Sequence, residues 1–463
     1  MSPNSTNAIP QNGHCNKQMN GNIKIKQYKP LPEKQFEARD SLIEELCNKV
    51  PHIASIQNFF IATIFCLFTS ILANDYMVKG EFSLGFHLIR DSFAKIHISA
   101  FFWVLFVIVT SSVHIVFRFW ALVHVKLIPN NSAVKTWDRL WLVLTFAFYL
   151  MSFVMSSFIT VHYDLPVACS SIILLEQTRL SMKIHAYIRH NAERVVNYKP
   201  HSDQELILPK FKNYLYFLFA PTIVYRDEYP RTTNIRWNFV AFRFLEIIGV
   251  IIYQCFILHR FVFPAYREFG LRKFTWGEVI IPIIENSLPG LLLLLSGFYQ
   301  VIHSVQNLFA EILRFADRQF YKNWWNCVST EEFFRTWNCV VHDWLYTYVY
   351  RDIHILTKGN KVLGKLAVFA LSGIIHEWVL AYQFKFYTPV ILYCYLIAAV
   401  ISNFRVPKVK FYNILFWYGM MFGAGLMASL YTLEYYARIN NPAPEYTFKY
   451  WFLPRWYLCD CIA

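Results

Sequence analysis

His376 ends the stretch LAVFALSGIIH (366–376), an apolar run of the kind found in membrane helices. An ionisable side chain inside such a run is rare and marks function by default. A neutral imidazole there can take a proton from a weak nucleophile such as an alcohol, and burial favours its uncharged, basic form. The alternative is a neutral histidine that only hydrogen-bonds a neighbouring helix. Ser372, four residues earlier on the same helical face, is a local partner under either reading. A second polar pair, Asn338 and His342, lies in a segment where Phe333, Trp337, Val340, Val341, Trp344 and Tyr348 recur at helical spacing. The expectation is one amphipathic helix with Asn338 and His342 on one face. Asp343 and Trp344 beside it make His342 an interfacial, structural residue. His97, His114, His162, His259 and His303 lie nearer segment ends and read as structural too.

Other chemistries lack their residues. The sequence contains no G-x-S-x-G nucleophile turn, no phosphate-cradling G-x-x-x-x-G-K-[ST] loop and no H-E-x-x-H pair. It also lacks the H-x4-D arrangement of some glycerol acyltransferases. The ten cysteines show no metal-ligand spacing. Cys66, Cys169, Cys255 and Cys394 read as packing residues in apolar runs. Cys459 and Cys461 form a C-x-C pair, one member of which a luminal tail can use in a disulfide. Residues 423–428 (GAGLMA) match G-x-G-x-x-A, but they lie inside an uncharged run with no strand before it, so close helix packing is the expectation.

The elements that must position these residues follow from composition. Of 463 residues, 56% are hydrophobic and only 16% are charged, against about 25% charged in an ordinary soluble domain. Residues 140–163, 286–310 and 411–433 carry no Asp, Glu, Lys or Arg. Shorter or interrupted runs lie near 56–74, 97–117, 165–182, 238–259, 362–380 and 386–404. A spanning helix needs about 20 apolar residues, so about nine passes are expected. The runs do not alternate as barrel strands do, and the fold class is therefore an all-α polytopic membrane protein with amphipathic interfacial helices. The segment 214–222 is apolar but too short to span and reads as interfacial. Residues 317–361 are too polar to span and too apolar to float in water.

Residues 1–51 read as a largely disordered cytosolic tail, with an amphipathic helix near 33–50 built on Phe36, Leu42, Ile43 and Leu46. Residues 52–463 form one membrane-embedded domain. No basic-then-apolar leader pattern opens the chain, so the first passes are expected to drive insertion. The net charge of +14 sits in loops between apolar runs, as on cytoplasmic faces, and not on a nucleic-acid surface. Lys183, Arg189, Arg194, Lys199, Lys210 and Lys212 fall in one such stretch. It either sets topology or also captures phosphates of coenzyme A or lipid headgroups.

Three blocks in order carry a resemblance. FYKNWWN (320–326) resembles the F-Y-x-D-W-W-N signature of the sterol and diacylglycerol branch of the membrane-bound O-acyltransferase family. RTWNCVVHDWLYTYVYRD (335–352) resembles the block after that signature, and SGIIHEW (372–378) the block around the family's histidine. YLYFLFAPTIVYRDEYPR (214–231) and FAEILRFADRQFYK (309–322) look like the sterol branch, and the likeness runs from about residue 33 to the C-terminus. Within Phe320, Tyr321, Asn323, Trp324, Trp325 and Asn326, one position departs: Asn323 stands where the family usually has Asp. Asparagine keeps the shape but loses the charge. It suffices if the carboxylate only orients backbone or Trp side chains, and it impairs the protein if the carboxylate must pair with a cation.

The resemblance implies that His376 is the catalytic histidine, Asn338 its partner and Trp337 part of the acyl-CoA tunnel wall. It places Arg335, Tyr350, Lys361 and Ser372 at the acyl-CoA site. It implies transfer of a long-chain acyl group from acyl-CoA, a co-substrate, to a sterol such as cholesterol, inside a buried reaction chamber and with no cofactor. The implied setting is the endoplasmic reticulum membrane, with a cytosolic N-terminus, membrane-lipid contacts and a homodimer or homotetramer. A diacylglycerol acceptor, a non-catalytic lipid-binding or transport protein, and a pseudoenzyme with Asn323 as its defect remain alternatives.

Overall fold

The computed structural model describes residues 33–80, 85–200, 205–442, 451–459 and 461–462. In chain order the helices are α1 (Leu42–Lys49), α2 (Pro51–Lys79), α3 (Phe86–Ser92), α4 (Ile96–Leu127), α5 (Asn131–His162), α6 (Val167–Val196), α7 (Phe211–Phe219) and α8 (Trp237–Ile257). They continue with α9 (Trp276–Glu285), α10 (Ser287–Phe298), α11 (Gln306–Ile312), α12 (Thr330–Trp337), α13 (Cys339–Leu345), α14 (Arg351–Leu356), α15 (Lys361–Phe384), α16 (Val390–Ile401), α17 (Lys410–Asn440) and α18 (Arg455–Leu458). Wide π turns join α10 to α11 at Tyr299–Val305 and α13 to α14 at Tyr346–Tyr350.

Among the described residues, seven helices are long and apolar enough to cross a membrane: α2, α4, α5, α8 with its continuation to Ala265, α10 through α11, α15 and α17. Two of the nine expected passes differ. The run at 165–182 opens α6, whose 30 residues include Glu176, Arg179, Lys183, Arg189 and Arg194. That helix packs against α4, α5 and α15 and buries much of its length. The run at 386–404 holds only the 12-residue α16, about 18 Å long at 1.5 Å per residue.

Residues 214–222 are not merely interfacial. They lie largely in α7 and the turn after it, and Tyr214, Phe217 and Leu218 are fully buried in the main aromatic core. Lys183 closes α7: its Nζ donates to the carbonyls of Phe217 and Ala220 at 2.5 and 2.7 Å. This cation is therefore 1% exposed at a helix C-terminus and not in a solvated basic loop. Arg189 and Arg194 belong to the same helix and pair with Asp352 and Asp227.

The helix expected over 33–50 begins only at Leu42. Residues 33–40 are extended because Arg39 makes backbone bonds to Ala316 and Arg318 and pairs with Asp317 at 2.7 Å. Phe36 still reaches the core, against Tyr229 and Phe315. The remainder of the expected tail, 1–32, lies outside the described residues. A polar network then pins α1 to the bundle. Arg243, 5% exposed, donates to Glu44 and Glu246 at 2.7 Å and to His303 Nε2 at 2.8 Å. Arginine only donates, so Nε2 accepts and the His303 Nδ1 proton faces the Tyr321 hydroxyl, 2.7 Å away. Tyr321 in turn accepts from the Ile43 N–H at 3.3 Å.

The packing expected of the glycine run is present at one of its two glycines. A Cβ on Gly425 would stand 2.7 Å from the Ser287 backbone, and one on Gly290 would stand 2.6 Å from Ala424, so α10 and α17 cross in near-backbone contact. Gly423 meets nothing within 4 Å. Arg243→Ala leaves two carboxylates and His303 without their cation inside the bundle. It is expected to cost about 3–5 kcal/mol. Thermal unfolding of the detergent-purified protein should show a lower midpoint, and limited proteolysis should cut between residues 33 and 49.

Candidate active site

α15 carries the histidine, and each part of it is set locally. Its N-terminus is capped by Asn360, whose side chain accepts from the N–H groups of Val362 and Leu363 at 3.0 and 3.2 Å. Gly364 admits the Tyr350 ring, since a Cβ there would meet Tyr350 Cε2 at 2.8 Å. Gly373 admits α16, since a Cβ there would stand 3.0 Å from both Tyr395 Cβ and Leu392 Cδ1. Glu377, 2% exposed, accepts from the Leu392 N–H in the first turn of α16 and from the Tyr431 hydroxyl, each at 3.3 Å.

The His376 side chain is left uncovered by other protein groups on the face of its spanning helix. Its Nδ1 lies 2.7 Å from the Ser372 carbonyl, so the residue expected from sequence as local partner serves through its backbone oxygen. A carbonyl only accepts; Nδ1 therefore carries the proton, and Nε2 presents its lone pair. Nε2 faces the Tyr395 hydroxyl at 3.3 Å.

Asn338 does not share a continuous helix face with His342. The chain breaks at Asn338 (φ −136°, ψ 87°), between α12 and α13. The break is made by the signature segment. The Cys339 N–H donates to the Phe320 carbonyl at 2.8 Å, and the Lys322 N–H donates to the Thr336 carbonyl at 2.8 Å. These bonds take backbone groups out of the helical ladder. Asn338 then caps α13, its Oδ1 accepting from the Val341 N–H at 3.1 Å. With the oxygen so used, the amide NH2 is left as a donor, and it has no hydrogen bond among the described residues.

No direct bond joins Asn338 to His376 among the described residues. Tyr395 connects their elements: its ring packs at 5.3 Å on Phe334, four residues before Asn338, and at 5.0 Å on His376. Trp337 packs on Phe298 and Trp324 at 4.5 and 4.6 Å. Tyr350 stands in a stacked column with Tyr346 and His354, both at 5.6 Å, and His342 extends the column. Arg335 is exposed in the last turn of α12. Lys361 is the exposed first residue of α15, about 22 Å along the helix axis from His376. It can hold the far end of a long substrate but cannot touch reacting atoms.

The signature residues divide by depth. Phe320 and Tyr321 are 1% exposed, Trp324 is 4% exposed, and the Trp325 carbonyl accepts from Asn413 and Trp417 on α17. Asn323 and Asn326 are exposed. Asn323 contributes its carbonyl to the turn, accepting from the Asn326 N–H at 3.1 Å, and its side chain caps nothing. Cys339, the thiol beside Asn338, is 3% exposed, and burial with nearby Asp343 pushes it up to about 11. It stays protonated and is a poor nucleophile. Burial works to raise Asp343 itself, but the His342 hydrogen bond and the Lys34 charge hold it below the usual carboxylate range.

Sequence reasoning missed Tyr395 and the work of Glu377. Their one visible trace was polarity inside apolar runs. The C-x-C pair forms a Cys459–Cys461 disulfide.

Fold and site together describe an integral-membrane helical protein with a histidine in a spanning helix, linked through Tyr395 to the element that ends at Asn338. The profile of the membrane-bound O-acyltransferase family matches residues 132–433. Mouse sterol O-acyltransferase 1 is 36% identical over 449 residues, covering 96% of this chain and 82% of the relative. Rat sterol O-acyltransferase 2 is 34% identical, covering 94% and 83%. Human sterol O-acyltransferase 2 is 34% identical, covering 92% and 80%. The chain belongs to the membrane-bound O-acyltransferase family, and it is an acyltransferase.

Two outcomes are expected in acyl-transfer assays. Asn323→Asp restores the familiar signature at an exposed position and should change activity less than about twofold, as surface substitutions do. Gly373→Val forces α16 away from His376 and should lower kcat on the order of 100-fold, with the KM for acyl-CoA little changed.

Proposed function

We propose that the protein is a sterol O-acyltransferase that moves a long-chain acyl group from acyl-CoA to the 3-hydroxyl of cholesterol or a related sterol. The observation that carries the acceptor is the likeness to sterol O-acyltransferases along nearly the whole chain. The observation that carries the mechanism is His376, with Nδ1 bound to the Ser372 carbonyl and Nε2 presented as the base. Nε2 takes the sterol hydroxyl proton as the oxygen attacks the thioester carbonyl. The Asn338 NH2 donates to the oxyanion of the tetrahedral intermediate. That intermediate collapses, the carbon–sulfur bond breaks, and the imidazolium returns the proton to the departing thiolate. Transfer is direct: the donor is already activated, and the protonated Cys339 offers no acyl-enzyme route.

The acyl chain lies along Trp337 and the tryptophan cluster. The coenzyme A head lies toward Arg335, Tyr350 and Lys361 on the cytosolic side. Acyl-CoA is a co-substrate, and the reaction needs no cofactor. The protein works in the endoplasmic reticulum membrane, N-terminus in the cytosol, as a homodimer or homotetramer.

The test uses microsomes from acyltransferase-deficient cells, labelled oleoyl-CoA and either cholesterol or diacylglycerol. Wild type should label steryl ester, and His376→Ala should lose that activity by about 10²–10⁴-fold at equal protein level. Label in triacylglycerol instead would overturn the sterol acceptor. Undiminished transfer by His376→Ala would overturn the base.

A further inference from the structure

The lone pair on which the proposed chemistry depends is not empty in the resting protein. Nε2 of His376 can only accept, because Ser372 holds the proton on Nδ1. The Tyr395 hydroxyl, 3.3 Å away, is therefore the donor. The bond is long, yet the ring that makes it is held on several sides. Phe334 packs on it from α12, and Gly373 leaves room for its Cβ and little more. Glu377 fixes the first turn of its helix through the Leu392 N–H.

Resting on the general-base role of His376, we infer that Tyr395 is a positioning residue whose hydroxyl stands in for the acceptor hydroxyl, occupying Nε2 until an alcohol arrives and keeping water off the base. An incoming alcohol displaces the Tyr395 hydroxyl from Nε2. Without the stand-in, water takes the same place beside bound acyl-CoA. Water then gives one proton to Nε2 as its oxygen attacks the thioester carbonyl, the carbon–sulfur bond breaks, and the imidazolium returns that proton to the thiolate. The products are a free fatty acid and coenzyme A, with no acceptor consumed. Tyr395 is thus what separates transfer from wasteful hydrolysis.

The variant Tyr395→Phe keeps the ring and its packing and removes only the hydroxyl. Detergent-purified wild type and variant are compared at equal protein, with oleoyl-CoA and no sterol, by release of free coenzyme A. Release should rise about 2–10-fold in the variant, the worth of one hydrogen bond. With cholesterol present, the acidic limb of kcat/KM should move up by about half to one pH unit, because neutral His376 loses a donor. The limb of kcat should stay, because the alcohol has already displaced Tyr395 in the ternary complex. Unchanged hydrolysis with an unchanged acidic limb overturns the inference, and so does a fall in kcat with neither change. If His376→Ala is inactive and Tyr395→Phe behaves as wild type, only the stand-in fails. If His376→Ala remains active, the base itself fails.

Discussion

Water is excluded from the middle of a helical membrane bundle, so every polar group there must be met by another group of the protein. Much of this fold follows from that constraint. Its buried ionisable side chains are placed at helix ends, where they meet backbone groups. Lys183 receives the last carbonyls of α7. Glu377 receives an N–H of the first turn of α16. Glu434 accepts from the N–H groups of Arg455 and Trp456, where α18 begins, while pairing with Arg438. Each of these side chains satisfies a backbone group that would otherwise be orphaned, and each thereby fixes where a short helix starts or stops.

The arrangement at Asn338 and His376 is an outcome of the same rule. Breaking the helix at Asn338 exposes backbone groups, and the signature segment supplies their partners through Phe320 and Lys322. The break turns Asn338 into a cap, and capping orients its amide by consuming its oxygen. The histidine is oriented similarly, one nitrogen consumed by a carbonyl of its own helix. Each group thus presents a single defined face. Such preorganisation is what makes a donor or base effective where charge develops.

The parts legible in the sequence were those written in composition and local spacing. Long uncharged runs announced α5, α10 and α17, and a histidine inside an apolar run announced His376. The parts that were not legible depend on partners distant in the chain. The helical period across 333–348 gives no hint that residues 320–322 will split it. Lys183 reads as one more basic residue until Phe217 and Ala220 are seen around it. Residues 33–40 have helical spacing, but pairing with 316–318 overrides that local preference. Tyr395 sits in a run that looks like ordinary lipid-facing or packing sequence, and its hydroxyl acquires meaning only when α16 is laid against α15.

Asn323 shows how far a departure in a motif can be judged from where it lies. The signature segment is held by buried rings at Phe320, Tyr321 and Trp324, and by main-chain bonds through Phe320, Lys322 and Trp325. None of these uses the side chain of residue 323. That side chain faces solvent, where a charge would interact weakly with any partner. Its one contribution to the turn is a backbone carbonyl, which asparagine and aspartate supply equally. Loss of the carboxylate therefore removes no support from Asn338 or from the tryptophans packed around Trp337. The pseudoenzyme alternative would need a defect in that support, and at position 323 there is none to find among the described contacts.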